Sequence, residues 1–137
     1  MIRVKTLTVQ LIDAQPDRIR ICRIDGESLV TVVVPREDLA EAKSLPNIPQ
    51  RGVYYLLDED HGNVSRVYAG QTTQGIARLD AHKAKKEFWN KAVMFLDDDQ
   101  NISRDALDVL EAKAIDYVRA HGSYETDNSA TPKPHID

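Results

Sequence analysis

The sequence is poor in the residues that mark specialised protein classes. It holds one cysteine in 137 residues, so no internal disulfide can form and a reducing compartment suits it. That residue, Cys22, stands in an alternating run from Arg18 to Ile24 and is expected at a buried strand position. No apolar run approaches the roughly 18 residues that a membrane-spanning helix needs; Val30 to Val34 is already interrupted by Thr31. Met1 to Lys5 alternates apolar and basic residues without the apolar block of a secretory signal, so a cytoplasmic protein with no membrane partner is the expectation. Six glycines and six prolines are too few for a collagenous or low-complexity chain. What is present, 42% apolar and 29% charged residues, is enough for a packed core within one domain.

The net charge of −4 argues against non-specific nucleic-acid binding by the whole surface. The charge is uneven, however. Residues 51–96 carry 7 basic and 5 acidic side chains, whereas residues 97–137 carry 4 and 10. Arg78, Lys83, Lys85, Lys86 and Lys91 concentrate the positive charge in a patch able to meet a polyanion. A solvated helix face explains the same lysines.

Three runs in the first third, Val4 to Ile12, Arg18 to Ile24 and Leu29 to Val34, are rich in Val, Ile and Thr and predict a strand meander. Asp25-Gly26 is a tight-turn signal between the second and third. Pro35 closes the third run before a short helix, Arg36 to Leu45, and Pro46, Asn47 and Pro49 form a rigid connector. Beyond it, Gly52 to Leu57 and Ser65 to Gly70 predict a hairpin joined by a polar loop, Asp58 to Asn63. Thr73 to Lys86 has helical composition and Lys91 to Leu96 a strand pattern. A long helix is expected from an N-cap at Ser103 to His121-Gly122. The reading is an α+β fold, a small antiparallel sheet flanked by helices, with a β-rich module at 1–50, a core at 51–132 and a flexible tail at 133–137.

Chemistry-bearing residues stand out within this frame. Leu107, Leu110, Ala114, Ile115 and Val118 form a helical stripe that includes Glu111, so a carboxylate faces inward. It needs a cation, hydrogen bonds, a metal or water at an edge position. Arg78 and His82, four residues apart, share a helix face. Tyr54, Tyr55 and Tyr68 cluster on the hairpin, where cross-strand packing also accounts for them.

In order, Gly52-Val53-Tyr54, Tyr68-Ala69-Gly70 within Val67 to Thr72, Arg78, His82, Glu111 and Asn128 resemble the GIY-YIG nuclease family over residues 51 to about 132. Val53 and Ala69 replace isoleucines of the family pattern, and the interval between the two signatures is longer than usual, which a looser hairpin loop would absorb. The resemblance implies a metal-dependent endonuclease hydrolysing phosphodiester bonds in DNA. Tyr54 would be the general base, Tyr68 would orient the phosphate, Arg78 would clamp it, and Glu111 would hold one Mg²⁺ or Mn²⁺. His82 would assist Tyr54 or relay its proton, and Asn128 would fix the site. Arg78, Lys83, Lys85 and Lys86 would bind the nucleic-acid backbone. Many family members carry a separate DNA-recognition domain, and these 137 residues are expected to leave no room for one. Two other readings stay open: a nucleic-acid-binding module without turnover, and a protein-interaction module docking a partner through residues 1–50.

Overall fold

The computed structural model describes residue 2, residues 4–97, residue 105, and residues 107–109, 111–114 and 125–126. Its strands are β1 (Leu7–Leu11), β2 (Arg20–Ile24), β3 (Leu29–Pro35), β4 (Arg51–Asp60), β5 (Asn63–Thr72), β6 (Lys91–Asp97) and β7 (Glu125–Thr126). Helix α1 (Leu39–Lys43) continues a 3-10 turn at Arg36–Asp38, and α2 (Leu79–Lys85) continues one at Gly75–Arg78. Residues 105, 107–109 and 111–114 are helical and are called α3. Ser103, Leu110, Ile115, Val118, the His121-Gly122 helix end, Asn128 and the 133–137 tail lie outside the described residues.

The expected α+β architecture with an antiparallel sheet is observed. One sheet runs in the order β1-β2-β3-β6-β4-β5-β7. Its first six strands pair antiparallel, and the two residues of β7 lie parallel to β5. β3 pairs with β6 from Leu29↔Asp97 to Pro35↔Lys91, so strands from both sides of the 46–51 connector share this sheet. Val30, Val32 and Val34 pack with Tyr54, Leu56, Met94 and Leu96 on one face, and α1 and α2 close it with Leu39, Ala42 and Leu79. No helix among the described residues is long and apolar enough to cross a membrane.

Two local expectations are corrected. The loop between β4 and β5 is two residues, His61 and Gly62, with φ of 49° and 85°, the doubly positive turn that matches strand twist. The acidic stretch before it stays in the ladder because its charges are met: Lys91 Nζ lies 2.8 Å from Glu59, and the Asn90 amide bonds both backbone groups of Glu59. The long interval between the signatures is therefore taken up by ten-residue strands and a bulge at Asp58/Glu59, not by a loose loop. Cys22 is half-buried, because Ile19 and Ile21 take the core phase of the alternation and put Cys22 on the opposite face.

Gly52 is held between two strands, opposite Thr72 on β5 and Leu96 on β6. A Cβ at this position would lie 1.9 Å from the Phe95 carbonyl oxygen, which is backbone and has no rotamer with which to yield. Gly52→Ala is expected to destabilise the fold by about 3 kcal/mol or more. A urea unfolding curve with unchanged slope and a lower midpoint checks this.

Candidate active site

Alternation along β4 turns Gly52, Tyr54 and Leu56 to the core face and Val53, Tyr55 and Leu57 to the other. Tyr54 is 1% exposed, whereas Tyr55 packs edge-on against Phe95 across the sheet. Across the ladder Tyr54 faces Gly70, and its ring lies over that residue: a Cβ there would meet Oη at 2.5 Å and Cζ at 2.6 Å. The second-signature glycine is thus the space the tyrosine occupies. The Tyr54 hydroxyl and Nε2 of His82 share a hydrogen bond at 2.5 Å, and the Tyr68 ring stands 6.4 Å from that of Tyr54 and 5.1 Å from the imidazole.

His82 is buried. Burial first, and then the positive charges of Arg78, Lys86 and Lys85, lower its pKa from 6.5 to about 4. At neutral pH the imidazole is uncharged, so one ring nitrogen carries the hydrogen and the other is an acceptor. Burial, followed by the neighbouring Tyr68, raises the Tyr54 phenol above its ordinary range; Arg78 opposes this by hydrogen bond and charge, and Glu111 adds to it.

The supports come from several elements. Thr72 is buried at the end of β5; its hydroxyl accepts from the Gln74 N–H at 2.9 Å and donates to the Gly75 carbonyl at 3.3 Å. That closes the turn which presents Arg78, and the Gly75 N–H donates to the Gln50 carbonyl at 2.8 Å, fastening it to the connector. At the far end of α2 the Arg36 guanidinium donates to the carbonyls of Lys83 (2.7 Å), Lys86 (2.7 Å) and Trp89 (3.2 Å), and stacks 4.6 Å from the Trp89 ring. A cation on these helix-end carbonyls complements the helix dipole.

Gln71 faces the opposite side of the sheet from Tyr54. Its amide donates to Glu111 Oε2 at 3.1 Å and to Asp108 Oδ1, tying β5 to α3. Glu111 and Asp108 are both 8% exposed, and Leu107 beside them is fully buried. Around this sheet edge Tyr54, Tyr68, Gln71, Thr72, Arg78 and Glu111 border a polar cavity of about 270 Å³.

Four of the six residues expected in the site, Tyr54, Tyr68, Arg78 and Glu111, meet at this cavity, with His82 bonded behind Tyr54. Asn128 lies outside the described residues. Lys86 sits 4.5 Å from the Tyr68 ring centre, a cation over the aromatic face. Lys83 and Lys85 are exposed, and Lys83 borders a separate hollow with Arg36, Asn90 and Lys91. Gln71, Thr72 and Asp108 are residues the sequence reading missed. Asp108 is three positions before Glu111 on the same helix face, a spacing that could have found it. Gln71 had no such signal, because a neutral amide bridging two carboxylates leaves no charge pattern.

A carboxylate is the donor type that a hard divalent cation would take. Glu111 borders the cavity with Asp108 one turn away, and among the described residues no group of three or more His, Cys, Asp or Glu converges.

Because His82 is held at about 4 and titrates near 6.5 when unfolded, the unfolded chain binds more protons between these values. Stability is therefore expected to be full above pH 6.5 and to fall as pH drops towards 4, with at most about 3 kcal/mol from this residue. Urea midpoints across that range, compared with His82→Gln, check this; the variant should show a shallower loss. Gly70→Ala is expected to displace the Tyr54 ring and cost about 1–3 kcal/mol, read from thermal melts together with a changed Tyr54 environment in aromatic NMR spectra.

No protein-family model matches the chain, and no curated protein or solved structure matches it.

Proposed function

We propose that this chain is a metal-dependent endonuclease of the GIY-YIG kind, hydrolysing phosphodiester bonds in DNA, with residues 51–132 as its catalytic core. The observation that carries the reading is the meeting of Tyr54, Tyr68, Arg78 and Glu111 at one polar cavity with His82 hydrogen-bonded to Tyr54. Phosphodiester hydrolysis needs a positioned water, a route for its proton, and positive charge around the phosphate oxygens.

With the hydrogen of the neutral His82 ring on Nδ1, the Tyr54 hydroxyl donates inward to Nε2, Arg78 holds one lone pair of its oxygen, and the other takes a proton from a water in the cavity. Arg78 is the cation that lowers the cost of a tyrosinate here, against burial and the adjacent Tyr68 that raise it. The neutral His82 imidazole receives the phenol proton as the phenol receives that of the water. Arg78, exposed at the cavity, also grips the phosphate with its forked donors. Glu111, oriented by Gln71, would hold Mg²⁺ or Mn²⁺, with Asp108 beside it. Either ion, when bound, supplies Lewis-acid charge neutralisation at the phosphate. Tyr68 carries Lys86 on its ring at the cavity wall and positions the phosphate, while the exposed Lys83 and Lys85 meet the nucleic-acid backbone without reading its sequence.

Labelled single-stranded, double-stranded and branched DNA, and RNA, are expected to include a substrate that is cut in Mg²⁺ or Mn²⁺ and not in EDTA. Glu111→Ala should lower the rate on the order of 10³-fold and Arg78→Lys on the order of 10²-fold. No cutting of any of these substrates in either metal would overturn the assignment.

A further inference from the structure

The sheet edge opposite the cavity is a different kind of surface. Among the described residues β1 pairs only with β2, and all five of its residues are exposed. Its backbone pairing fixes which groups remain open. The Thr6 carbonyl accepts from Asp25 N–H and the Ile12 N–H donates to Ile19, so the bonds to β2 fall on even-numbered positions. The N–H and C=O groups of Leu7, Val9 and Leu11 therefore point away from β2. The side chains of these same three residues share one sheet face, 59%, 47% and 39% exposed, while Thr8 and Gln10 take the other. Leu7 to Leu11 contains no charge, no proline and no bulge, the devices that normally protect an edge strand.

We propose that this edge is an interface with a second copy of the chain, the two β1 strands pairing antiparallel about a two-fold axis through Val9. The sequence Leu-Thr-Val-Gln-Leu is symmetric in character about its centre. The axis sets Leu7 against the partner's Leu11, Thr8 against the partner's Gln10 and Val9 against the partner's Val9. Apolar residues meet apolar ones on one face and polar residues meet polar ones on the other, and every pair containing an open N–H and C=O meets another such pair. Charges agree as well: the axis brings Lys5 to the strand end that carries the partner's Asp13. A patch that is its own complement is what an isologous two-fold contact requires. Because β1 and β5 lie on opposite sides of the sheet, pairing leaves both cavities open. The inference does not rest on the nuclease reading.

Sedimentation equilibrium of the full chain at micromolar concentrations is expected to give twice the chain mass. Val9→Pro removes an N–H that β2 does not use, a position where an edge strand tolerates proline. This variant should keep the native circular dichroism spectrum and associate at least roughly tenfold more weakly, a loss of about 1.4 kcal/mol. Leu7→Lys should weaken association likewise, and adding Leu11→Glu should restore it, since each lysine then faces a glutamate of the partner. A native chain monomeric throughout, a folded Val9→Pro that pairs as tightly as native, or no rescue in the double variant would overturn the proposal.

Discussion

A phenol buried against a sheet needs room for its ring and a hydrogen-bond partner for its hydroxyl, and the candidate site is organised by how Tyr54 obtains both. Left without a partner, the hydroxyl would cost about 1–3 kcal/mol. Gly70 supplies the room by having no side chain, and His82 supplies the hydrogen-bond partner. Each solution constrains something further. Burial and the surrounding cations Arg78, Lys86 and Lys85 keep the imidazole neutral, so they are part of the same arrangement.

The strands before residue 51 are built into this arrangement. β3 lies against β6, which lies against β4, so the strand bearing Tyr54 is supported from both sides. Arg36, at the exit of β3, binds three carbonyls at the end of α2 and stacks on Trp89, whose indole N–H donates at 3.4 Å to the carbonyl of His82. A residue of the first third thus positions the helix that carries the imidazole. The ion pair of Arg18 with Asp38 at 3.0 Å and Glu41 at 2.7 Å, and that of Lys43 with Asp80 at 2.9 Å, hold the same layers together at their rim.

Much of this was legible in the order of residues. Val, Ile and Thr runs and the Asp25-Gly26 turn place β2 and β3 to within two residues, and Pro35 ends its strand as a residue without an N–H must. The inward carboxylate of Glu111 followed from periodicity, and the structure buries it. The extent of the hairpin did not follow, because acidic residues read as loop until Lys91 and Asn90, thirty positions away, are known to meet them. The phase of β2 was ambiguous in principle, since Ile19 and Ile21 alternate as well as Cys22 and Ile24. Of the cation, hydrogen bonds, metal or water that an inward Glu111 needs, the structure shows a hydrogen bond, from the amide of Gln71 on the strand beside it, a partner that periodicity does not name.

The central claim, that Glu111 and its neighbours hold a divalent ion beside Tyr54 and Arg78, is tested most directly by paramagnetic NMR. Substoichiometric Mn²⁺ added to isotope-labelled protein should broaden the signals of Gln71, Tyr68 and Arg78 and leave those of β1 and β2 sharp, whereas in Glu111→Gln all of them should stay sharp. Broadening that avoids the cavity, or that persists undiminished in Glu111→Gln, would contradict the account.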